Sequence, residues 1–502
     1  MEHIAFLPIG PEVVMLVAAV AVLMSAVALG QDRRSWGVIG AVALLVATLV
    51  SVGQWLRLDY LGVGQELAFS STNLPSGFLN AMIVMDRFSA FAGVVVYLVA
   101  FFALVGNWEL VKTLGKRGAE YVALVLLAAA GLHMMVISSN LILLFMGLET
   151  ASIALYVIAG FARVERNSDE SALKYFLLGS FASAIFLYGI ALVYAGTGSV
   201  SIYGSASIRQ FFATEPVAVM DVGILLTGIA LIIVGLAFKA SAAPFHQWAP
   251  DVYQGAASGS VSLMAAGVKV AAITALIRLL MGAFGTRIDD WAPIIAVLAV
   301  LSVVVGTIGA IGQTDLKRML AYSGVAHAGF MLSAVVAGPA AIPEIWFYLV
   351  TYVIQLVGAF TVVSVVSGVR SGAAHFDEYR GMFERSPRIA AALAVFMLGM
   401  GGIPFFAGFV GKVGVFTEAI SAGYLWLVIV GLVASVAGLF FYLRVVVMMY
   451  FEGSIAAEAP GTATAQPRLA GGAGFVVYVT AGLTVLLGVV PWLLLNIVRW
   501  AL

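Results

Sequence analysis

Residues 235–256 read GLAFKASAAPFHQWAPDVYQGA. They close an apolar run that begins near residue 221, and about 20 such residues span the hydrocarbon core of a bilayer. The window 221–254 is too long for one straight span and contains a breaker, Ser241-Ala-Ala-Pro244. Proline removes a backbone donor and crowds the preceding turn, so the helix is expected to break there. Lys239 lies five residues before that proline. A break of this kind frees carbonyls and amides at membrane depth, where only protein or water can satisfy them. The pairing recurs at Gly401-Gly-Ile-Pro404, with Lys412 eight residues beyond the proline.

Around these two breaks the 502-residue chain is 63% hydrophobic and only 10% charged, with a mean hydropathy of +1.09. A soluble domain carries about 25% charged residues, so a water-soluble fold is excluded. Apolar runs recur from Val13 to Val498 with short polar breaks, which favours one integral membrane domain over several soluble ones. Apolar windows lie near 11–30, 36–56, 80–106, 118–138, 139–162, 171–197, 221–254, 258–283, 291–311, 315–338, 343–369, 387–422, 424–450 and 471–497. They predict an all-α polytopic membrane protein of about fourteen helices, the seventh and twelfth broken. The first run follows Glu2 where a signal peptide would carry positive charge, and reads as a retained helix.

Zero cysteines exclude disulfides, cysteine-ligated iron–sulfur clusters and cysteine zinc sites on this chain. Twenty-five Lys+Arg balance 25 Asp+Glu. With no phosphate loop and no strand leading into GxGxxG, the composition speaks against nucleic-acid, nucleotide and soluble-dehydrogenase functions. Counted over alternating connections, 15 Lys and Arg from Arg33 to Arg468 fall on one side, against Arg57, Arg209, Arg287 and Arg499 on the other. The positive-inside rule then places both termini outside the cytoplasm, with an even number of spans. The long aqueous pieces, roughly 57–79, 198–220, 370–388 and 452–470, are too small for a catalytic domain, and the small-residue tract Ala456–Gln466 reads as a flexible loop. Most of the 54 glycines, Gly147, Gly255, Gly259 and Gly267 among them, are expected to serve helix packing.

An ionisable group at mid-bilayer costs several kcal/mol. The spans nevertheless hold Glu149, Lys174, Lys239, Lys269 and Lys412, together with His246 and His327. Any one of them could be an ion pair locking two helices, or a hydrogen-bonded packing histidine. Four lysines, however, have one mid-span carboxylate, Glu149, to pair with. Lysines that cannot all stay charged at low cost gain and lose protons, as a relay requires, and histidine titrates near neutrality. Lys174, at a span end, can also snorkel to water. Asp86, Arg87, Arg278 and Glu418 lie nearer span ends and read as interfacial or helix-pairing groups.

The chain divides into three helices over 1–110, five over 118–283, five over 291–450 and a last one over 471–502. Five is odd, so the second five-helix unit would be inverted relative to the first. Landmarks recur at similar spacing: 90 residues separate Glu149 from Lys239, and 85 separate His327 from Lys412. Such a repeat would join two half-channels across the midplane.

The stretches LFMGLETASIALYVIAGF (144–161), ESALKYFLLGSFASAIFLYGIALVYAGTG (170–198), QTDLKRMLAYSGVAHAGFML (313–332) and GIPFFAGFVGKVGVF (402–416), with the 235–256 block, resemble the antiporter-like subunits of proton-translocating NADH:quinone oxidoreductase, respiratory complex I. The resemblance covers about residues 80 to 450. It implies a fourteen-helix subunit of a bacterial inner membrane, built among other antiporter-like and small membrane subunits and lipid. It also implies no flavin, iron–sulfur or nicotinamide site here; FMN, clusters and quinone would belong to other subunits. Carried over by motif, Glu149 and Lys239 correspond to the input pair, Lys174 and Lys269 with His327 to the central relay, and Lys412 to the exit half-channel. A subgroup with Glu at position 412 and another with a long C-terminal lateral helix fit less well. The expected activity is proton transfer driven by electron transfer elsewhere. A stand-alone cation/proton antiporter and a purely structural subunit with locking lysines remain the competing readings.

Overall fold

The computed structural model describes residues 8–29, 33–61, 65–68, 82–161, 166–204, 206–214, 222–368, 374–453 and 467–501. In chain order the helices are α1 Gly10–Leu29, α2 Arg33–Leu61, α3 Arg87–Gly106, α4 Trp108–Thr113, α5 Gly118–Ile137, α6 Leu141–Ala159, α7 Arg166–Thr197, α8 Ile208–Thr214, α9 Val222–Ala240, α10 Trp248–Gly255, α11 Ser258–Ile277, α12 Ile288–Ile311, α13 Leu316–Val335, α14 Ile342–Val366, α15 Met382–Arg385, α16 Pro387–Gly401, α17 Ala407–Ser421, α18 Leu425–Phe451, α19 Gly471–Val489 and α20 Trp492–Trp500. The tract Ala456–Gln466, Glu2, and the loop cations Arg163 and Arg370 lie outside the described residues.

The protein is a multi-pass helical membrane protein. Twelve helices among the described residues are long and apolar enough to cross a bilayer. Two of the windows read from the sequence fall outside that set. The window 315–338 becomes α13, whose face carries Lys317, Arg318, Tyr322 and His327. The window 387–422 becomes two 15-residue helices, α16 and α17. Large side chains such as Val17, Leu49, Phe181 and Val436 stay exposed, as a lipid-facing surface requires. Each residue of α11 from Ser258 to Ile277 is buried, so this helix is the centre of the bundle.

Local chemistry sets the helix starts. Asn140 and Asp315 accept from the backbone N–H groups of Ile142 and Arg318, capping α6 and α13, where four backbone donors lack intrahelical partners. Close crossings need small residues: a Cβ on Gly131 would lie 2.4 Å from the backbone nitrogen of Ala151, which is why α5 can lie directly on α6.

The helix expected from residue 80 begins instead at Arg87. The residues before it, β2 (Ile83–Asp86), pair antiparallel with β1 (Gln65–Ala68), a two-stranded ribbon within an otherwise helical protein. Asp86 closes the strand and caps α3, accepting from Ser89 N at 2.7 Å. Its carboxylate also receives both terminal nitrogens of Arg278, at 2.8 and 3.0 Å, from the π-helical turn Arg278–Ala283 that ends α11. Burial pushes the Asp86 carboxyl up, but the Arg278 guanidinium and the hydrogen bonds from Ser89 together outweigh it and leave the group below the ordinary carboxylate value. Arg278 is itself 5% exposed.

Breaking this pair leaves a buried charge alone, so Arg278→Ala should destabilise the folded chain by ~3–5 kcal/mol, measured as loss of thermal stability in detergent. Because the Asp86 value is lowered on folding, the stabilisation is full above about pH 4 and is lost as pH falls through the lowered value. A melting temperature insensitive to acid in that range would contradict the assignment.

Candidate functional site

The first helix break is built on Ser241 and Pro244. α9 stops at Ala240, Ser241 takes a left-handed φ of 60°, and the Ala243–Pro244 peptide is cis. The freed backbone groups find partners on other elements. Ala243 N donates to Ser302 Oγ of α12 at 2.8 Å, and Trp248 Nε1 of α10 donates back across the gap to Phe238 O at 2.9 Å. The Ala240 carbonyl is taken by Lys269: its Nζ donates to Ala240 O and to Gly324 O of α13, each at 2.8 Å.

The second break repeats this arrangement. α16 ends at Gly401, Gly402 and Phe405 adopt φ of 84° and 75°, and Pro404 stands in the turn before α17. Lys412 of α17 reaches back, donating to Gly401 O at 3.0 Å and to Ser435 Oγ of α18 at 2.9 Å. Gly402 is required twice over, by its left-handed φ and because a Cβ there would lie 3.0 Å from the Lys412 side chain. Each break therefore leaves a carbonyl at membrane depth that a lysine ammonium satisfies.

Lys239, the last-turn residue of α9, turns toward α6. Its Nζ donates to Ser152 Oγ at 2.7 Å and to Tyr156 OH at 3.2 Å, among the rings of Tyr156, Tyr175 and Phe238. Glu149 stands one turn before Ser152 on α6 and acts on Lys239 through space. No hydrogen bond or ion pair joins the two among the described residues; Glu149 Oε1 is buried and without a partner.

α13 connects the lysines. Gly324 O holds Lys269, and one turn on, His327 places Nδ1 2.8 Å from Tyr348 OH and Nε2 3.0 Å from Tyr442 OH, with its ring stacked on Tyr352. Tyr442 also hydrogen-bonds Ser323. A further turn on, Phe330 lies 5.0 Å under Lys412 Nζ. Lys239, Lys269, His327 and Lys412 are 4%, 3%, 2% and 7% exposed, so all four are buried, and they are linked in sequence of contacts through Ala240 next to Lys239, then Gly324 and Phe330 of α13.

The other residues singled out by sequence lie off this line. Lys174 is exposed at its head and ion-paired to Glu170 at 2.7 Å and to Asp251 of α10 at 3.1 Å. Asp251 also holds Arg318 of α13 at 2.6 Å, so Lys174 belongs to a cluster tying α7, α10 and α13. His246 sits half-buried in the turn after Pro244, its ring 6.1 Å from Tyr322, with no hydrogen bond to a lysine among the described residues. Sequence reasoning missed Tyr348, Tyr442, Ser152 and Ser435, whose hydroxyls look in sequence like those of any packing residue. It also counted Lys317 as a loop cation; the structure buries it fully, donating to Ala256 O at 2.7 Å. Among the described residues no group of three His, Cys, Asp or Glu could hold a metal ion.

Residues 138–438 match the family model described as NADH:quinone oxidoreductase/Mrp antiporter, transmembrane. The chain belongs to this family. It is 40% identical to NADH-quinone oxidoreductase subunit N 1 of Solibacter usitatus over 83% of this chain and 84% of that protein. It is 38% identical to NADH-quinone oxidoreductase subunit N of a Nocardioides species over 97% of this chain and 89% of that one. Among solved structures it is similar to a chain of respiratory complex I from Thermus thermophilus with bound aureothin, with TM-score 0.76, 30% identity, and coverage of 97% of this chain and 98% of that one. A chain of the Mrp complex from a Dietzia species, 20% identical with a TM-score of 0.84 over 100% and 97%, shares the fold. The family match spans both breaks and all the residues of the buried line from Glu149 to Ser435.

Replacing His327 by Ala should cost ~2–3 kcal/mol, because the buried Tyr348 hydroxyl loses its partner and Tyr442 keeps only Ser323. Tyr442→Phe should cost ~1–2 kcal/mol, since one acceptor is removed and the ring remains. Thermal melts of the purified chain in detergent check the ranking.

Proposed function

We propose that this chain is a membrane-arm, proton-translocating subunit of a NADH:quinone oxidoreductase, carrying protons along Glu149, Lys239, Lys269, His327 and Lys412 while electrons pass through other subunits. The observation that carries this reading is the buried line itself, in which three lysines with few carboxylates meet a histidine held between two tyrosine hydroxyls. Similarity to NADH-quinone oxidoreductase subunits over more than four-fifths of the chain supports the placement in such a complex. Flavin, iron–sulfur clusters and quinone then belong to its partners, which are other antiporter-like and small membrane subunits. In a bacterial inner membrane the bias of Lys and Arg, 14 to 4 once the buried Lys317 is left out, supports both termini on the non-cytoplasmic side. The two lysine-held breaks support an inverted pair of five-helix units over 118–283 and 291–450.

In this mechanism a change in a neighbouring subunit alters the interaction of Glu149 with Lys239. Drawn toward Glu149, the Lys239 ammonium leaves Ser152 and Tyr156, and its charge moves away from Lys269. The electrostatic cost of a proton on Lys269 changes with that distance. Lys269 is the pivot, because losing a proton there weakens its bonds to the Ala240 and Gly324 carbonyls, an amine being a poorer donor than an ammonium. His327 can accept at one ring nitrogen and donate at the other, which suits it to pass a proton between the tyrosines flanking it. Lys412, held on Gly401 and Ser435, ends the line at the second break. Lys174 and His246 lie off it and serve at most at its entrance.

Lys239→Ala and Glu149→Ala should lower the protons moved per NADH oxidised while the complex assembles intact; normal pumping in an intact complex would overturn the relay. Lys269→Gln should uncouple similarly, whereas a subunit whose lysines only lock helices would tolerate it. The fold is shared with an Mrp complex chain, so a stand-alone cation/proton antiporter is the second reading. A C-terminally tagged chain recovered with flavin and iron–sulfur subunits and NADH:quinone activity supports the first. Recovery of the chain alone, with cation-driven proton flux in vesicles, supports the second.

A further inference from the structure

The N-terminal helices hold a buried titratable pair that the lysine line does not use. His133 of α5 is wholly buried, and its Nδ1 lies 2.6 Å from Oε1 of Glu12 in α1. We propose that Glu12 and His133 form a second proton-binding site, loaded from the aqueous phase at the N-terminal end of α1 and separate from the line running from Lys239 to Lys412.

Glu12 is the one charged residue of α1, which is otherwise apolar from Gly10 to Leu29. A lone carboxylate in such a helix carries a desolvation cost and calls for a specific partner. The helices supply a setting for both charges. Glu12 stands in the first turn of α1 and His133 near the end of α5, so the positive end of one helix dipole meets the carboxylate and the negative end of the other meets the imidazole. Exposure falls from the outer group to the inner: the Glu12 side chain is 14% exposed and that of His133 0%. Glu12 is thus the outer group of the pair, although its Oε2 is itself buried, and His133 lies behind it.

The inner side of the imidazole meets further polar atoms. Glu12 Oε2, His133 Nε2, Tyr97 OH and Ser51 Oγ are all buried without a hydrogen-bond partner among the described residues. Tyr97 of α3 packs on the imidazole with ring centroids 4.9 Å apart. Gly93, one turn earlier on α3, leaves room for the ring: a Cβ there would lie 2.6 Å from His133 Nε2 and 3.1 Å from Ser51 Oγ of α2.

Among the described residues the groups facing the pair are few. α1 brings Glu12, α3 brings Tyr97 and α2 brings Ser51; the charges at the end of α2, Arg57 and Asp59, lie more than a turn beyond, with Asp59 held by Arg87. Gly131 and Met135 of α5 abut α6, so His133, two residues from each, points away from that helix and from Glu149. Toward α11 the neighbours are apolar: Gly267 abuts Leu132 and Val99, while Lys269 directs its ammonium to Ala240 and Gly324. An apolar layer thus separates this pair from the relay.

The proton balance is simple. A proton taken from water by Glu12 crosses to His133: the Glu12 O–H bond breaks, an Nδ1–H bond forms, and an imidazole whose other hydrogen is on Nε2 becomes an imidazolium facing a carboxylate. Loading in this way adds an attractive charge pair between α1 and α5.

The test is pH-difference infrared spectroscopy of the full-length chain in lipid vesicles, with isotope-labelled histidine. One histidine ring band and one carboxylate band should change together with pH in the wild-type protein. Glu12→Gln should abolish the carboxylate change and with it the coupled change of the ring band. His133→Gln should remove the ring band and move the carboxylate midpoint. Lys239→Ala should leave both bands in place, whatever it does to pumping. Bands that respond to pH independently of one another, or that ignore either substitution, would overturn the proposal. If neither variant can be purified, the wild type decides alone: histidine ring bands none of which changes together with a carboxylate band would equally overturn it.

Discussion

A carbonyl oxygen at membrane depth needs a hydrogen bond, and in this protein two of them obtain it from lysine side chains. Ala240 O and Gly401 O end the helices α9 and α16, where Ser241 and Gly402 turn left-handed before the prolines. Lys269 and Lys412 donate to them. With no water in a bilayer core, such a carbonyl would otherwise cost several kcal/mol. The same contacts hold the cations, which would otherwise be expensive there themselves. Helix break and buried charge thus stabilise each other, and neither could be placed alone.

That mutual dependence organises the rest of the bundle. α11 is buried on all sides because Lys269 must reach α9 on one side and α13 on the other. α13 carries Gly324, His327 and Phe330 at successive turns, so one helix face meets one lysine, two tyrosine hydroxyls and then the second lysine. Its polar residues also make it less apolar than the spans around it. The helix that gives up membrane-like composition is the one that joins the charged groups.

Charges nearer the aqueous ends follow a different rule. Asp86 with Arg278, and Asp251 with Lys174 and Arg318, are compact ion pairs with carboxylates present in number. They join elements distant in sequence and leave little excess charge. Among the described residues the lysines of the central line have no such ion pairs, and Glu149 Oε1 is left without a partner while Lys239 is held on Ser152. The contrast is between charges matched by carboxylates, buried or exposed, and buried lysines held on carbonyls and hydroxyls instead.

Much of this was legible in the sequence. Hydrophobic runs located the helices, since a chain this apolar must bury or lipidate its surface, and the motifs around Pro244 and Pro404 located both breaks. Lys239, Lys269, Lys412, His327 and Glu149 stood out because charge is costly in a span. Composition could not say which atoms each lysine touches. Lys269 answers a carbonyl 29 residues away, and Tyr348 and Tyr442 come to His327 from helices on either side, so their hydroxyls carry no local signal. Burial of Lys317 and the strand before α3 likewise depend on neighbours that only folding supplies. Sequence by itself determined that the chain must cross a membrane and where its helices must break, because those follow from local apolarity and proline geometry. The tertiary structure alone decided which groups join into one line, because hydrogen bonds at membrane depth are made between helices, not along them.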